Sequence, residues 1–159
     1  MSKIDKPRRA KRLNAKGLTF GIVVSTYNSI VTESLLRGAL GEIERNGGQK
    51  DKQKIVRVPG GFEIPLAAKW LLEAGGIDGV ITLGCIMKGE TTHNEYIAAE
   101  VTRGIGSLAL EYQLPVAFGV LTPNTAEQAL ARSGPGEGNK GAEAARAAIE
   151  MALLKRSLK

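Results

Sequence analysis

The chain contains one cysteine and one histidine in 159 residues. Cys85 alone makes no internal disulfide, and with a single imidazole beside it a thiolate or histidine metal centre lacks donors, so a metalloenzyme is not expected. Aromatic residues are scarce as well, at 4% of the chain, so the position of each carries information. No apolar run reaches the roughly 18 residues that span a bilayer, and the N-terminus lacks the apolar core of a secretory signal. The expectation is a soluble, cytoplasmic protein with no membrane partner. A second domain is not expected, since about 150 residues make one. With 43% apolar residues the chain has material for a real core, and disorder throughout is excluded.

Negative charge is missing from one place in particular. Residues 1–16 hold seven basic groups, among them Lys3, Lys6, Arg8, Arg9 and Arg12, against Asp5 alone, which accounts for the whole net charge of +6. The remaining body is formally neutral, so a groove built for nucleic acid is not indicated. Residues 1–17 therefore read as a basic flexible N-terminal arm and residues 18–159 as a single domain. Three roles for the arm stay open: a solvated tail, a contact for nucleic acid or another anionic partner, or a targeting segment. Pro7 and the scarcity of serine weaken the last.

Beyond residue 18, short β-branched runs alternate with longer segments of helical period, the pattern of parallel βαβ units. The runs are Leu18 to Ser25, Ile55 to Val58, Gly79 to Met87 and Pro115 to Leu121. Each is nearly continuous in apolar residues, as strands covered on both faces are. Between them, Val31, Leu35, Ala39 and Ile43 form a helix stripe that stops at Asn46-Gly47-Gly48. A second helix starts near Glu63, with Pro65 in its first turn, and ends at Gly75-Gly76. Thr92 with Glu95 predicts a capping box for a third helix with Ile97, Val101, Ile105 and Leu108 on its buried face; Thr125 with Gln128 predicts another for a short fourth. An Ala-rich helix spans Lys140 to Leu158. The predicted fold is a three-layer α/β/α sandwich around a central four-stranded parallel sheet, with ligands at the carboxyl ends of the strands.

Tyr27 and Phe62 fall just after the first two strands, where aromatic faces suit a flat heterocycle. Their neighbours have simpler roles too, Asn28 as a helix cap and Glu63 as a complement to a helix dipole. Phe118, at mid-strand, reads most simply as core. The segment from Gly84 to His93 runs from a buried strand into a helix start holding Gly89, Thr91, Thr92 and the histidine. Free amides at such a start suit a phosphate. In the positive first turn an imidazole is biased toward its neutral form, ready to accept and return a proton, although a lone histidine is as readily structural or merely exposed. Arg132, at a helix end, reads equally as a cap or an anion contact. Lys140 reads as a solvated loop lysine, and Cys85 as a packed thiol.

Taken jointly, the residues resemble the lumazine synthase family. The likeness runs from about residue 18 to the end, on Tyr27-Asn28, Pro59-Gly60-Gly61-Phe62-Glu63-Ile64-Pro65, Gly89-Glu90-Thr91-Thr92-His93, Phe118-Gly119-Val120-Leu121-Thr122 and Gly138-Asn139-Lys140-Gly141, in family order and spacing. It implies a flavodoxin-like strand order and the condensation of 5-amino-6-(D-ribitylamino)uracil with 3,4-dihydroxy-2-butanone 4-phosphate, without a cofactor. It further implies that Tyr27 stacks on the pyrimidine, that Gly61, Phe62 and Glu63 bind the ribityl chain and ring, and that Cys85, Ile86 and Met87 contact the ring. Glu90, Thr91 and Arg132 would hold the phosphate, Phe118 would reach in from a neighbouring subunit, and His93 matches the family's proton donor. The implied assembly is a homo-oligomer of pentamers closed into an icosahedral shell, with riboflavin synthase as a partner. Tyr27, Gly61, Met87-Lys88 and Asn94 depart from the residues usual in the family. A second reading therefore stays open, a slow or inactive paralogue that serves as a flavin- or lumazine-binding shell.

Overall fold

In the computed structural model, which describes residues 11–159, strand β1 (Phe20–Ser25) begins two residues later than its apolar run. The Leu18 amide donates to the Ala15 carbonyl at 3.0 Å and closes a turn around Gly17, whose φ of +78° is open to glycine. Three parallel neighbours follow: β2 (Lys54–Val58), β3 (Gly79–Cys85) and β4 (Val116–Leu121), in the order β2-β1-β3-β4. Ile22 stands opposite Ile55 on one side and Ile81 on the other, and Ile81 pairs with Ala117. Pro115 has no amide to give but its carbonyl accepts from Val80 at 2.8 Å, so β4 begins just after it.

The two central strands are buried along their whole length, as continuous apolar runs require, whereas the two edge strands are not. Lys54 and Arg57 of β2 are exposed, and Arg57 pairs with Glu33 at 2.9 Å. Phe118 corrects the simplest reading of its position: it is 45% exposed, because on an edge strand no helix among the described residues covers it.

Helices α1 (Ser29–Arg45), α4 (Ala126–Ser133) and α5 (Lys140–Ser157) pack on one face; α2 (Ile64–Ala74) and α3 (His93–Tyr112) pack on the other. Alternate strand residues feed the two cores, Phe20, Ile22 and Val24 into the first and Val23 into the second. The expected stripe on α1, Val31, Leu35, Ala39 and Ile43, is its buried face; on α3 Val101, Ile105 and Leu108 are buried, while Ile97, expected with them, is only partly so. Where α1 crosses α5 the helices nearly touch, since a Cβ on Gly141 would run into the Leu35 carbonyl.

The last part of the predicted arm lies against this body. Ala15 is buried and its amide donates to the Asn46 carbonyl at 2.7 Å; the Leu13 amide donates to Asn46 Oδ1 at 2.8 Å, and Arg146 Nη2 donates to the Lys11 carbonyl at 2.7 Å. Glu42 secures this corner by accepting from Arg45 at 2.8 Å, Asn46 at 2.9 Å and Arg146 at 3.3 Å. Burial works to raise the Glu42 pKa, but these donors outweigh it and hold the carboxyl below its ordinary value. The arm's first ten residues lie outside the described residues. Among the described residues no helix is long and apolar enough to cross a membrane.

Candidate active site

Strand order reverses between β1 and β3, and a parallel sheet opens a crevice at that switch point, outside its carboxyl ends. Backbone pairing carries past β1: the Thr26 amide donates to the Val58 carbonyl at 2.8 Å and the Tyr27 amide to the Pro59 carbonyl at 3.1 Å. This sets Tyr27 beside the turn that leads through Gly61–Glu63 into α2. Asn28 makes the second link. It precedes α1 in the left-handed conformation, φ +59°, which short polar side chains tolerate, and its side-chain Nδ2 donates to the Cys85 carbonyl at 3.0 Å instead of capping the helix. A Cβ on Gly61 would come within 2.9 Å of the Ile86 side chain, so the turns after β2 and β3 also meet. Glu63 accepts from the Gly60 amide at 3.1 Å, which pins the turn at the entry to α2.

Within this crevice Tyr27 and Phe62 are 73% and 59% exposed, too uncovered for core residues of this chain. Cys85 and Ile86 are buried beneath it, with Met87 half-buried at its edge. Burial pushes the Cys85 thiol up to about 11, as expected of a packed thiol that does no nucleophilic work near neutrality.

The loop from Lys88 to Thr92 follows. The Lys88 backbone amide donates to the Pro123 carbonyl at 3.0 Å, but the amides of Gly89, Glu90, Thr91 and Thr92 find no acceptor among the described residues. A Cβ on Gly89 would meet nothing within 4 Å, so this chain's own packing does not demand the glycine there. Open amides at the start of a 20-residue helix are a ready anion cradle. The predicted capping box is not made: Thr92 has φ −78° and ψ 6°, close to helical rather than extended, and its hydroxyl cannot turn back to the Glu95 amide. Instead the His93 amide donates to Thr91 Oγ1 at 3.3 Å, and the imidazole begins α3 exposed at the rim of the loop. Thr125, properly extended, does accept from the Gln128 amide at 3.2 Å.

Phe118 and Arg132 line a different hollow, of about 340 Å³, on the outer flank of β4. Gln128, Thr122 and Lys140 share it; Tyr27, Phe62, Thr91 and His93 do not. Arg132 is exposed, and among the described residues its only hydrogen bond is a long one, 3.5 Å to the Gln128 carbonyl. Lys140, read from the sequence as a solvated loop lysine, is half-buried at the edge of that hollow. It opens α5, the wrong helix end for a cation, and a single acidic contact, Glu143 at 2.7 Å, offsets that. That electrostatic misplacement is a signal the sequence carried. A larger apolar hollow of about 510 Å³, lined by Leu110, Met151 and Leu154, lies at the amino end of β4 beside Pro115, away from all these side chains.

The arrangement offers flat stacking surfaces, an anion cradle and one imidazole, with two cations on a separate flank. Among the described residues no group of three or more His, Cys, Asp or Glu side chains stands together. Over residues 17–156 the chain matches the model of the family described as 6,7-dimethyl-8-ribityllumazine synthase. It is 48% identical over 148 residues to the 6,7-dimethyl-8-ribityllumazine synthase of Aquifex aeolicus (strain VF5), covering 93% of this chain and 96% of that protein. With the parallel sheet, its switch-point crevice and these matches in agreement, the chain belongs to the 6,7-dimethyl-8-ribityllumazine synthase family.

Proposed function

We propose that the chain performs its family's reaction in a site completed by a second copy of itself. The enzyme is a transferase of riboflavin biosynthesis that condenses 5-amino-6-(D-ribitylamino)uracil with 3,4-dihydroxy-2-butanone 4-phosphate, giving 6,7-dimethyl-8-ribityllumazine, phosphate and water. The separation of the crevice from the hollow of Phe118 and Arg132 supports the two-copy reading: each chain carries two complementary halves that do not share a pocket. Large apolar side chains left exposed on the helices, among them Ile30, Leu66, Trp70 and Tyr96, support burial against other copies as well. The family resemblance implies a ring of five copies, further closed into an icosahedral shell, as the assembly. A sedimenting species of one or two chains would overturn it.

In this reading Tyr27 stacks on the pyrimidine, Gly61, Phe62 and Glu63 hold its ribityl chain and ring, and the segment Cys85 to Met87 lines the ring's edge. The amides of Glu90 and Thr91 take the phosphate of the second substrate, while the neighbour's Phe118 and Arg132 close over it. The substrate's own amine is the nucleophile, so the protein supplies alignment, an anion anchor and a proton carrier. His93, at the rim of the phosphate loop, gives and takes the protons of imine formation and phosphate elimination.

Mixing the purified protein with both substrates and following lumazine absorbance and fluorescence tests the activity. A rate no faster than the uncatalysed one, with flavin still bound, would favour a flavin- or lumazine-binding shell protein instead. The basic arm is the one stretch whose charge suits nucleic acid, and riboflavin synthase is the partner to seek in the assembly. Removing residues 1–10 should leave assembly and turnover nearly unchanged and weaken binding to polyanions; loss of soluble protein would show that the arm is structural.

A further inference from the structure

We infer that Asn139 is a positioning residue for the phosphate half of the site, setting Arg132 and Lys140 at a fixed separation. The inference rests on the reading of Arg132 as phosphate anchor. Arg132 is the next-to-last residue of α4 and Lys140 the first of α5. Between them the turn contains Gly136 and Gly138, both at φ +93°, and glycines in such a turn do little to restrain its two ends. Asn139 supplies the restraint. It is 4% exposed, and its side-chain amide donates to the carbonyls of Ser133 at 2.9 Å, Gly134 at 3.0 Å and Ser34 at 3.3 Å, while its Oδ1 accepts from the Ala142 amide at 3.0 Å.

One side chain thus joins the end of α4, the start of α5 and the middle of α1. The Ser133 and Gly134 carbonyls lie where α4 runs out of helical partners, and the Ala142 amide is an open donor of α5's first turn. Helix α1 is shaped to receive it. A Cβ on Gly38 would overlap Asn139 Oδ1, and the Ser34 hydroxyl donates to the same Ser133 carbonyl. Lys140 gains nothing from the helix dipole at this end, so its place is held by the chain that Asn139 anchors. Asn139 itself does not line the hollow; its effect passes through the two cations that do.

In the full-length assembled protein, Asn139→Ser retains a hydroxyl able to cap Ala142 and loses both N–H donors. We expect the KM for the butanone phosphate and the inhibition constant for inorganic phosphate each to rise about tenfold, with the pyrimidine KM held within about twofold. Adding Asn139→Ser to Arg132→Ala should raise the phosphate constants by less than Asn139→Ser does alone, because of the two cations it positions only Lys140 remains. Asn139→Asp, of the same shape and also a good cap, is measured in parallel and should show the same selective rise. If Arg132→Ala weakens phosphate binding while a folded Asn139 variant leaves both phosphate constants within about twofold of the parent, the positioning role is overturned and the anchor stands. If Arg132→Ala leaves them unchanged, the anchor fails and the inference fails with it. An equal rise in both substrates' KM, or failure of both Asn139 variants to fold, assigns Asn139 to the fold alone and overturns the proposal.

Discussion

Arg132→Ala separates binding from folding because of how little the arginine touches within its own chain. It is exposed near the end of α4, and among the described residues its one hydrogen bond is 3.5 Å long and it enters no ion pair. Its removal should therefore shift stability by no more than about 0.5 kcal/mol, the usual size for a surface substitution. Bound phosphate would lose a charge-assisted partner, a loss of about 1.5–3 kcal/mol. Lys140 lines the same hollow and retains part of the attraction, which puts the expected loss at about 1.5–2 kcal/mol, or roughly 10–30-fold in KM for the butanone phosphate. The pyrimidine has no phosphate, so its KM should stay within about twofold. Steady-state rates of lumazine formation with each substrate varied in turn, beside a thermal melt of the same preparation, give both quantities. An equal rise in the two KM values would refute the anchor, and so would a fall in Tm of several degrees with both KM values unmoved.

Three further perturbations address other parts of the molecule. His93→Ala should lower kcat by about 10²-fold or somewhat less, because aligned substrates react partly unaided, and an unaltered kcat would remove the proton-carrier role. Cys85 should resist iodoacetamide at mildly alkaline pH in the native protein; labelling as fast as in denaturant would contradict its burial. Its folded pKa is raised by burial from 9.0 to about 11, so its contribution to stability is complete below 9.0 and is lost as pH climbs through about 11. Cys85→Ala should flatten that alkaline limb of a Tm–pH curve. Gly141→Ala drives a methyl group into the Leu35 carbonyl where α1 and α5 are closest, and chemical denaturation should show a loss of about 3 kcal/mol or no folded protein at all; a change under about 1 kcal/mol would mean that the helices separate readily.

Local chemistry along the chain was enough to locate most of the fold. Continuous apolar runs alternating with stripes of helical period dictated a parallel sheet sheathed by helices, because neither pattern can bury itself any other way. Helix limits followed from Gly75-Gly76, Asn46-Gly47 and the Thr125 cap, whose physics involves only near neighbours. The short motifs after each strand named the family, and parallel topology placed those motifs at one end of the sheet. Edges were a different matter. Whether Phe118 is core or surface depends on β4 having no strand beyond it, a property of the strand order rather than of the residues around position 118. The failed cap at Thr92 turned on its backbone angles, which the Ser/Thr-x-x-Glu pattern does not encode. Residues 11–17 read as tail because their charges are local, whereas the partners that secure Lys11, Leu13 and Ala15 lie just past the end of α1 and on α5, far along the chain. The division of site residues into a crevice and a separate hollow, and the seat of Asn139 between three helices, likewise arise from contacts across more than a hundred residues, which no periodicity or motif can report.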